Sequence, residues 1–403
     1  MVLVLLMARY HARPGYFLNL PRRPVAAKGT YGYDAQFLRA HARKVLELHD
    51  EATDARVLLC ADYQGRVMTS TAAGEQGSSY GWLNYELIGS GKRNKQFNAL
   101  GGEERFWLGP EGGQFSLYFK QGDPFQISYW QVPAIIDTVA YKVQHADARS
   151  ATFVQNGTLT NYSGTRFSFG ISRSIALQGR EAVEKKLHMA LPAGVRFVAY
   201  ESENVLENKG SRTWEKQGGL LSIWLLGMMT PSEETKVIIP FVPGQDARSR
   251  ITDDYFGKIS PDRLWVGDSV LYLRCDGKSR GKIGLSPRVA KPMVGSFDFK
   301  HNQLTLLIPE VHPGGAYVNS KWELQKDPYG GDVINSYNDG PLADGSQLGP
   351  FYEIESSSPV VELRPGQQQR YRQWTCHFEG QYEDLRKLAQ HLLGVDLEDV
   401  KKW

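Results

Sequence analysis

Two glutamates two positions apart, Glu353 and Glu355 in the run FYEIE, form the pair in this 403-residue sequence best placed to move protons. If the run is a strand, both carboxylates point to one face, while Tyr352 and Ile354 point to the other. Like charges side by side raise each other's pKa, which tunes a carboxylate towards work as a general base near neutrality. The competing reading is that one of them binds an arginine. Pro359 and a strand-like run, VVELRPG, follow closely.

A second polar block, LGGEERFWLGPEGGQFSLYF, sets Glu103, Glu104, Arg105, Trp107, Glu111 and Gln114 among five glycines. This composition predicts groups presented on turns instead of sunk in a packed strand. Acids, a guanidinium and an amide hydrogen-bond hydroxyls, and an indole face stacks on the C–H surface of a sugar. Alternatively, Arg105 pairs with Glu103 or Glu111 and staples a buried loop. Arg66 and Trp82, beside turns upstream, are candidates for another wall of the same cleft; Trp82 also suits a core.

The third block, from Val311 to Glu355, holds His312, Trp322, Asp332, Asn335, Tyr337, Asn338 and Asp339 around Gly-Gly pairs, a polarity that marks functional loops. Its oxygens resemble hard-cation ligands, but DVINSYNDG lacks the sixth-position Gly and the terminal Glu of an EF-hand loop. No metal is therefore expected. His312 is the only histidine inside a polar block; the others are dispersed, with no HExxH spacing. With no GxSxG elbow, Walker loop or GxGxxG after a strand, no cofactor is expected either.

The elements that must position these groups read as strands. More than ten short runs carry β-branched and aromatic residues between turn signals, among them ARVLLCADYQGRVMTST, FSLYFKQG, QISYWQVP, ATFVQNGTLT, RFSFGISRSIALQG, RFVAYESENVLEN, GLLSIWLLGMM, KVIIPFVPG and YRQWTCHFEG. Helical patterns are confined to DAQFLRAHARK, REAVEKKLHM and YEDLRKLAQH. The expected class is all-β, with an irregular arm over residues 1–30, one continuous domain over 31–380 and a helical tail over 381–403.

Composition narrows the partners. Lys+Arg of 47 against Asp+Glu of 44 leaves a net charge of +3, with basic residues scattered, so nucleic acid is not an expected partner. The apolar run Val2–Met7 is far short of the ~20 residues that span a bilayer. It also lacks a basic flank and a clean cleavage site, which leaves the compartment open between cytoplasm and export. Cys60, Cys275 and Cys376 show no metal-site spacing; one isolated bridge stays open.

The runs YQGRVMTST, GGEERFWLGPEGGQFS, LTNYSG, PYGGDVINSYNDG and FYEIESSSP resemble a bacterial family of unknown function, DUF6786-like, in the galactose mutarotase-like or aldose 1-epimerase superfamily. The resemblance covers nearly all of residues 31–380. It implies a large antiparallel β-supersandwich with a concave saccharide site. In the epimerases a glutamate near the C-terminus removes the anomeric proton and a histidine protonates the ring oxygen. IESSSPVVELRPG resembles the segment that carries the glutamate, which implies Glu355 as base with Glu353 as its substitute. The mid-chain histidine segment is here LTNYSGTRF, with Asn161 and Tyr162 but no histidine. The acid would then be His312, Tyr337 or a carboxylate of the 103–111 turn, or the chemistry differs. The readings that remain are epimerase-like catalysis, carbohydrate binding without turnover, and a lyase or hydrolase on the same scaffold.

Overall fold

The computed structural model describes residues 26–403 except Ala343. The expected arm over 1–30, with its apolar run, therefore lies almost wholly outside the described residues. Among those residues the strands form three antiparallel sheets of three, ten and six strands. The chain is mostly β with a few short helices, as the strand pattern predicts.

Alternation decides which side chains meet. In the Arg166–Leu177 strand, Phe167, Phe169, Ile171, Ile175 and Leu177 are buried on one phase, and Ser168, Ser172, Ser174 and Ala176 on the other are partly exposed, with only Gly170 of that phase buried. Arg173 falls on the buried phase as well. It is tolerated there because its guanidinium pairs with Glu104 at 2.8 Å and donates to Asn204 Oδ1 at 2.7 Å. Gln373 adds a donor to the other oxygen of Glu104 at 2.9 Å. These groups sit between the ten- and six-stranded sheets and tie the two layers together.

The six-stranded sheet is the layer that matters for the site. Its strand order is Ile251–Thr252, Gly281–Leu285, Ile334–Asn338, Tyr352–Ser357, Ser222–Met229, Arg105–Gly109. Its inner face packs on the ten-stranded sheet, with Ser356 Oγ donating to Gln373 Oε1 at 2.6 Å and the Tyr352 hydroxyl 2.8 Å from Ser296 Oγ. The far face of the ten-stranded sheet is covered by the helices Arg180–Leu187, Tyr382–Leu393 and Leu397–Lys402. Leu385, Leu388, Ala389 and Leu393 of the second of these are buried in a core shared with Phe197, Phe297 and Phe378. Each large apolar side chain so buried contributes about 1.5–3 kcal/mol.

Three strand expectations differ from the structure. FSLYFKQG and QISYWQVP are irregular, because their aromatic residues fill the outer face of the six-stranded sheet instead of pairing laterally: Tyr118 stacks on Trp130 at 6.0 Å, and the Tyr118 carbonyl takes its hydrogen bond from Gln131 at 2.9 Å. VVELRPG is likewise no strand; only Leu363 bridges, to Trp214. The three cysteines are free and buried, so no bridge forms among them. No helix among the described residues is long and apolar enough to cross a membrane.

Candidate functional site

The outer face of the six-stranded sheet collects the acids. Glu355 pairs across the sheet with Asn335 and Leu226, and Glu353 with Tyr337 and Met228. Neighbouring registers set Lys282 opposite Tyr337, Arg105 opposite Leu226 and Trp107 opposite Trp224. Since residues in register share a face, Glu353, Glu355, Asn335, Tyr337, Lys282, Trp224, Arg105 and Trp107 all project to the same side.

Glu355 is 1% exposed, yet its surroundings are polar. Its Oε2 accepts from Lys282 Nζ at 2.9 Å and from Trp224 Nε1 at 3.0 Å. Its Oε1 is buried without a partner. Beside it, Glu353 Oε1 accepts from Arg105 Nη2 at 2.6 Å, with only 4% and 6% of the two side chains exposed. Burial pushes the Glu353 carboxyl up and the guanidinium pulls it back. The Arg105 guanidinium also lies 4.6 Å from the Trp107 ring centre.

Glu111 comes to this cluster from the loop after the Arg105–Gly109 strand. Burial pushes its carboxyl up to about 7; Lys282 opposes the shift, Glu355 adds to it, and Trp322 and Trp130 oppose it. Trp130 stacks on Trp322 at 6.0 Å and lies 6.5 Å from Trp107, which meets Trp224 edge-on at 5.5 Å. Four indoles thus run from Glu355 to Glu111.

Asp332 lies at the start of the Ile334–Asn338 strand. Burial raises its carboxyl to about 6, against the hydrogen bond from the Tyr255 hydroxyl at 2.7 Å. A Cβ at Gly284 would collide with the Asp332 carboxylate and come within 2.7 Å of Asn335 Nδ2, so glycine there lets these groups meet.

A strap over residues 311–331 roofs the cluster. Gln114 and Gln325 bind each other reciprocally: Gln114 Nε2 donates to the Gln325 carbonyl at 2.9 Å, and Gln325 N–H donates to Gln114 Oε1 at 3.0 Å. Glu111 N–H donates to Ser320 Oγ at 3.3 Å. Trp322 enters from the strap and meets Phe119 edge-on at 5.2 Å.

The structure therefore brings Glu353, Glu355, Arg105, Trp107, Glu111, Trp322, Asp332 and Asn335 together, with Gln114 as a strap tie. Tyr337 shares the face but packs at its far end with Trp82, Met228 and Phe351, its hydroxyl donating to Asp339 at 2.5 Å. The other expected residues lie apart. Glu103 and Glu104 are not held out on turns: each is 1% exposed, Glu103 binding Ser70 of the three-stranded sheet and His377 of the ten-stranded sheet, and Glu104 binding Arg173 of the ten-stranded sheet. Arg105 pairs with neither Glu103 nor Glu111. Arg66 is buried, donating to the Gly101 carbonyl at 2.7 Å and to Gln64 at 3.1 Å. Asn338 faces inward and anchors a turn, donating to the Ser279 carbonyl at 2.8 Å. His312 is exposed, with its backbone N–H on the Tyr317 hydroxyl at 3.0 Å. Two surface cavities, of about 630 Å³ beside Trp374 and about 130 Å³ beside Arg263, include none of the cluster acids.

Sequence reasoning missed Lys282, Trp224, Tyr255 and Trp130. Lys282 left a trace, as the lone charge in the strand GKIGL, where alternation alone puts it on the face opposite Ile283.

A family model described as a family of unknown function, DUF6786, matches residues 29–403. The chain belongs to the DUF6786 family. No curated protein sequence matches this DUF6786 member. Among solved structures it is similar to the Slr1438 protein of Synechocystis sp. PCC 6803, at 12% identity and a TM-score of 0.51 over 85% of this chain and 98% of that one. It is also similar to a proposed aldose 1-epimerase of Escherichia coli K12, at 9% identity and a TM-score of 0.50 over 84% and 99% of the two chains. The DUF6786 fold here is the galactose mutarotase-like supersandwich.

Proposed function

We propose that this protein binds a saccharide ring on the outer face of the six-stranded sheet and interconverts its anomers by acid/base chemistry. Glu355 is the base and Glu111 the acid. Glu355 Oε1 takes the proton of the anomeric hydroxyl as the C1–O5 bond breaks; O5 keeps the bonding pair and takes a proton from Glu111. The open-chain aldehyde turns about C1–C2 and recloses by the reverse transfers. Positioned proton transfer of this kind is worth about 10²–10⁴ in rate.

One observation carries the reading: Glu355 is tied through one oxygen only, and the other is buried and unpartnered. Arg105 Nε, Trp107 Nε1 and Ser222 Oγ are also buried without partners on this face. Each such atom costs about 1–3 kcal/mol unless a partner arrives, and a hydroxyl-rich ring offers both donors and acceptors to this mixed set. The strap must swing aside to admit it.

Polarimetry on freshly dissolved aldoses tests this. The wild type should speed the approach to anomeric equilibrium, and Glu355→Gln should lose about 10²-fold or more of that acceleration. Equal rates for the two proteins on every sugar would remove the catalytic reading. The cover over Glu355 favours a second reading, saccharide binding without turnover, which calorimetric binding in the absence of anomer exchange would support.

A further inference from the structure

Lys282 stands at the centre of the acids and has no part in the reaction as written above. Its Nζ is 2.9 Å from Glu355 Oε2, 5.0 Å from the Trp224 ring centre and 5.7 Å from that of Tyr255, with 11% of the side chain exposed. Trp224 Nε1 reaches the same carboxylate oxygen at 3.0 Å. Both donors converge on Oε2, so Oε1 alone is left to take a proton.

We propose that Lys282 is a positioning residue that sorts the two carboxylates, holding Glu355 as the proton acceptor with Oε1 free and leaving Glu111 as the donor. This inference rests on the acid/base reading above. The charged and titratable groups around the ammonium come from every side. Glu353 and Glu355 share one strand, Glu111 belongs to the loop after the Arg105–Gly109 strand, Asp332 leads into the Ile334–Asn338 strand, and Tyr255 and Lys321 lie on segments outside the sheet. Burial opposes the charge of Lys282, but Glu355, Glu111 and Glu353 outweigh it and raise its pKa, so the cation persists across the working pH range. Only Glu355 is in hydrogen-bond contact with it. Glu111 feels it through space and stays near neutrality, where a carboxyl can donate. The two aromatic rings hold the ammonium in place and are therefore engaged with it instead of offering bare stacking faces.

The first test needs no sugar. The lysine ammonium groups of protein labelled with 13C at lysine Cε are titrated by NMR, with Lys282→Met assigning the resonance. Glu355→Gln should lower the Lys282 midpoint, because the carboxylate that hydrogen-bonds the ammonium is gone, and Glu111→Gln should lower it less. If Lys282→Met does not fold, Lys282→Gln assigns the resonance instead. A Lys282 midpoint unmoved by Glu355→Gln, or moved as far by Glu111→Gln, overturns the proposal. The second test is the pH profile of anomer exchange. Its acid limb should move in Lys282→Met and return in Lys282→Arg, whereas a merely structural lysine would scale the rate and leave the limb in place. Absence of turnover in the wild type at every pH would defeat the catalytic reading, and the ammonium titration would still decide the role of Lys282.

Discussion

Arg105→Met separates a buried ion pair from a decorative one. The Arg105–Glu353 contact at 2.6 Å has 4% and 6% of its side chains exposed, so the small range measured for surface pairs does not apply. Removing one partner of a buried pair costs about 3–5 kcal/mol, because the other charge is left without compensation. Methionine keeps much of the apolar stem, and the lost contact with Trp107, at 4.6 Å, adds about 0.5–2 kcal/mol. The pH dependence gives the sharper test. Burial already raises the folded carboxyl of Glu353 above its unfolded value, and removing the guanidinium raises it further. A carboxyl raised in the folded state contributes stability that is fully present below its unfolded pKa and is lost as pH rises through the folded pKa. The variant therefore loses more than the wild type on going from pH 5 to pH 9, and the difference between them should grow towards the full 3–5 kcal/mol range at the upper end. Urea unfolding at both pH values, compared at constant m, measures it. Arg105→Met/Glu353→Gln should regain most of the loss at pH 9, and the double-mutant cycle gives the coupling. A difference below about 1 kcal/mol at pH 9, as for a surface pair, or one that is the same at both pH values, would refute the reasoning.

Two further outcomes follow from the geometry. A Cβ at residue 112 would run into the carbonyl oxygen of Lys321, so Gly112→Ala should wedge the strap outward; Trp322 fluorescence should shift to the red and become more open to acrylamide, and an unchanged spectrum would show that the strap accommodates the methyl. The Cys60, Cys275 and Cys376 thiols are buried and pushed up to about 12, so an Ellman reagent should find no reactive thiol in the native protein at pH 8 and all three in denaturant; a fast-reacting thiol in the native state would contradict their placement.

Much of the architecture was legible in the sequence because period-2 alternation reports burial directly. Arg166–Leu177 shows its buried phase residue by residue, and FYEIE places its two acids on one face through spacing alone. The aromatic runs FSLYFKQG and QISYWQVP misled because strands and loops that roof a sheet draw on the same residues. What separates them is where the backbone hydrogen bonds go, and composition carries no record of that.

The site itself was legible only as far as local parity reaches. Arg105 and Glu353 stand 248 positions apart, and no feature of either segment selects the other. Parity could have placed Glu104 of the GGEERFW block, however, though not Glu103, which precedes the Arg105–Gly109 strand and binds His377. Once Arg105 and Trp107 project outward, Glu104 must project inward, to where Arg173 waits on the buried phase of its own strand. Glu104, facing inward, thus binds the two layers together, whereas Glu353 and Glu355 face outward with Lys282. Glu355 is on the outer side for the same reason that Ser356, its neighbour, is on the inner one. A one-residue slip of the Tyr352–Ser357 strand would thus turn Glu355 into the core and Ser356 to the outer face, undoing the Lys282 pair and the Gln373 hydrogen bond at once.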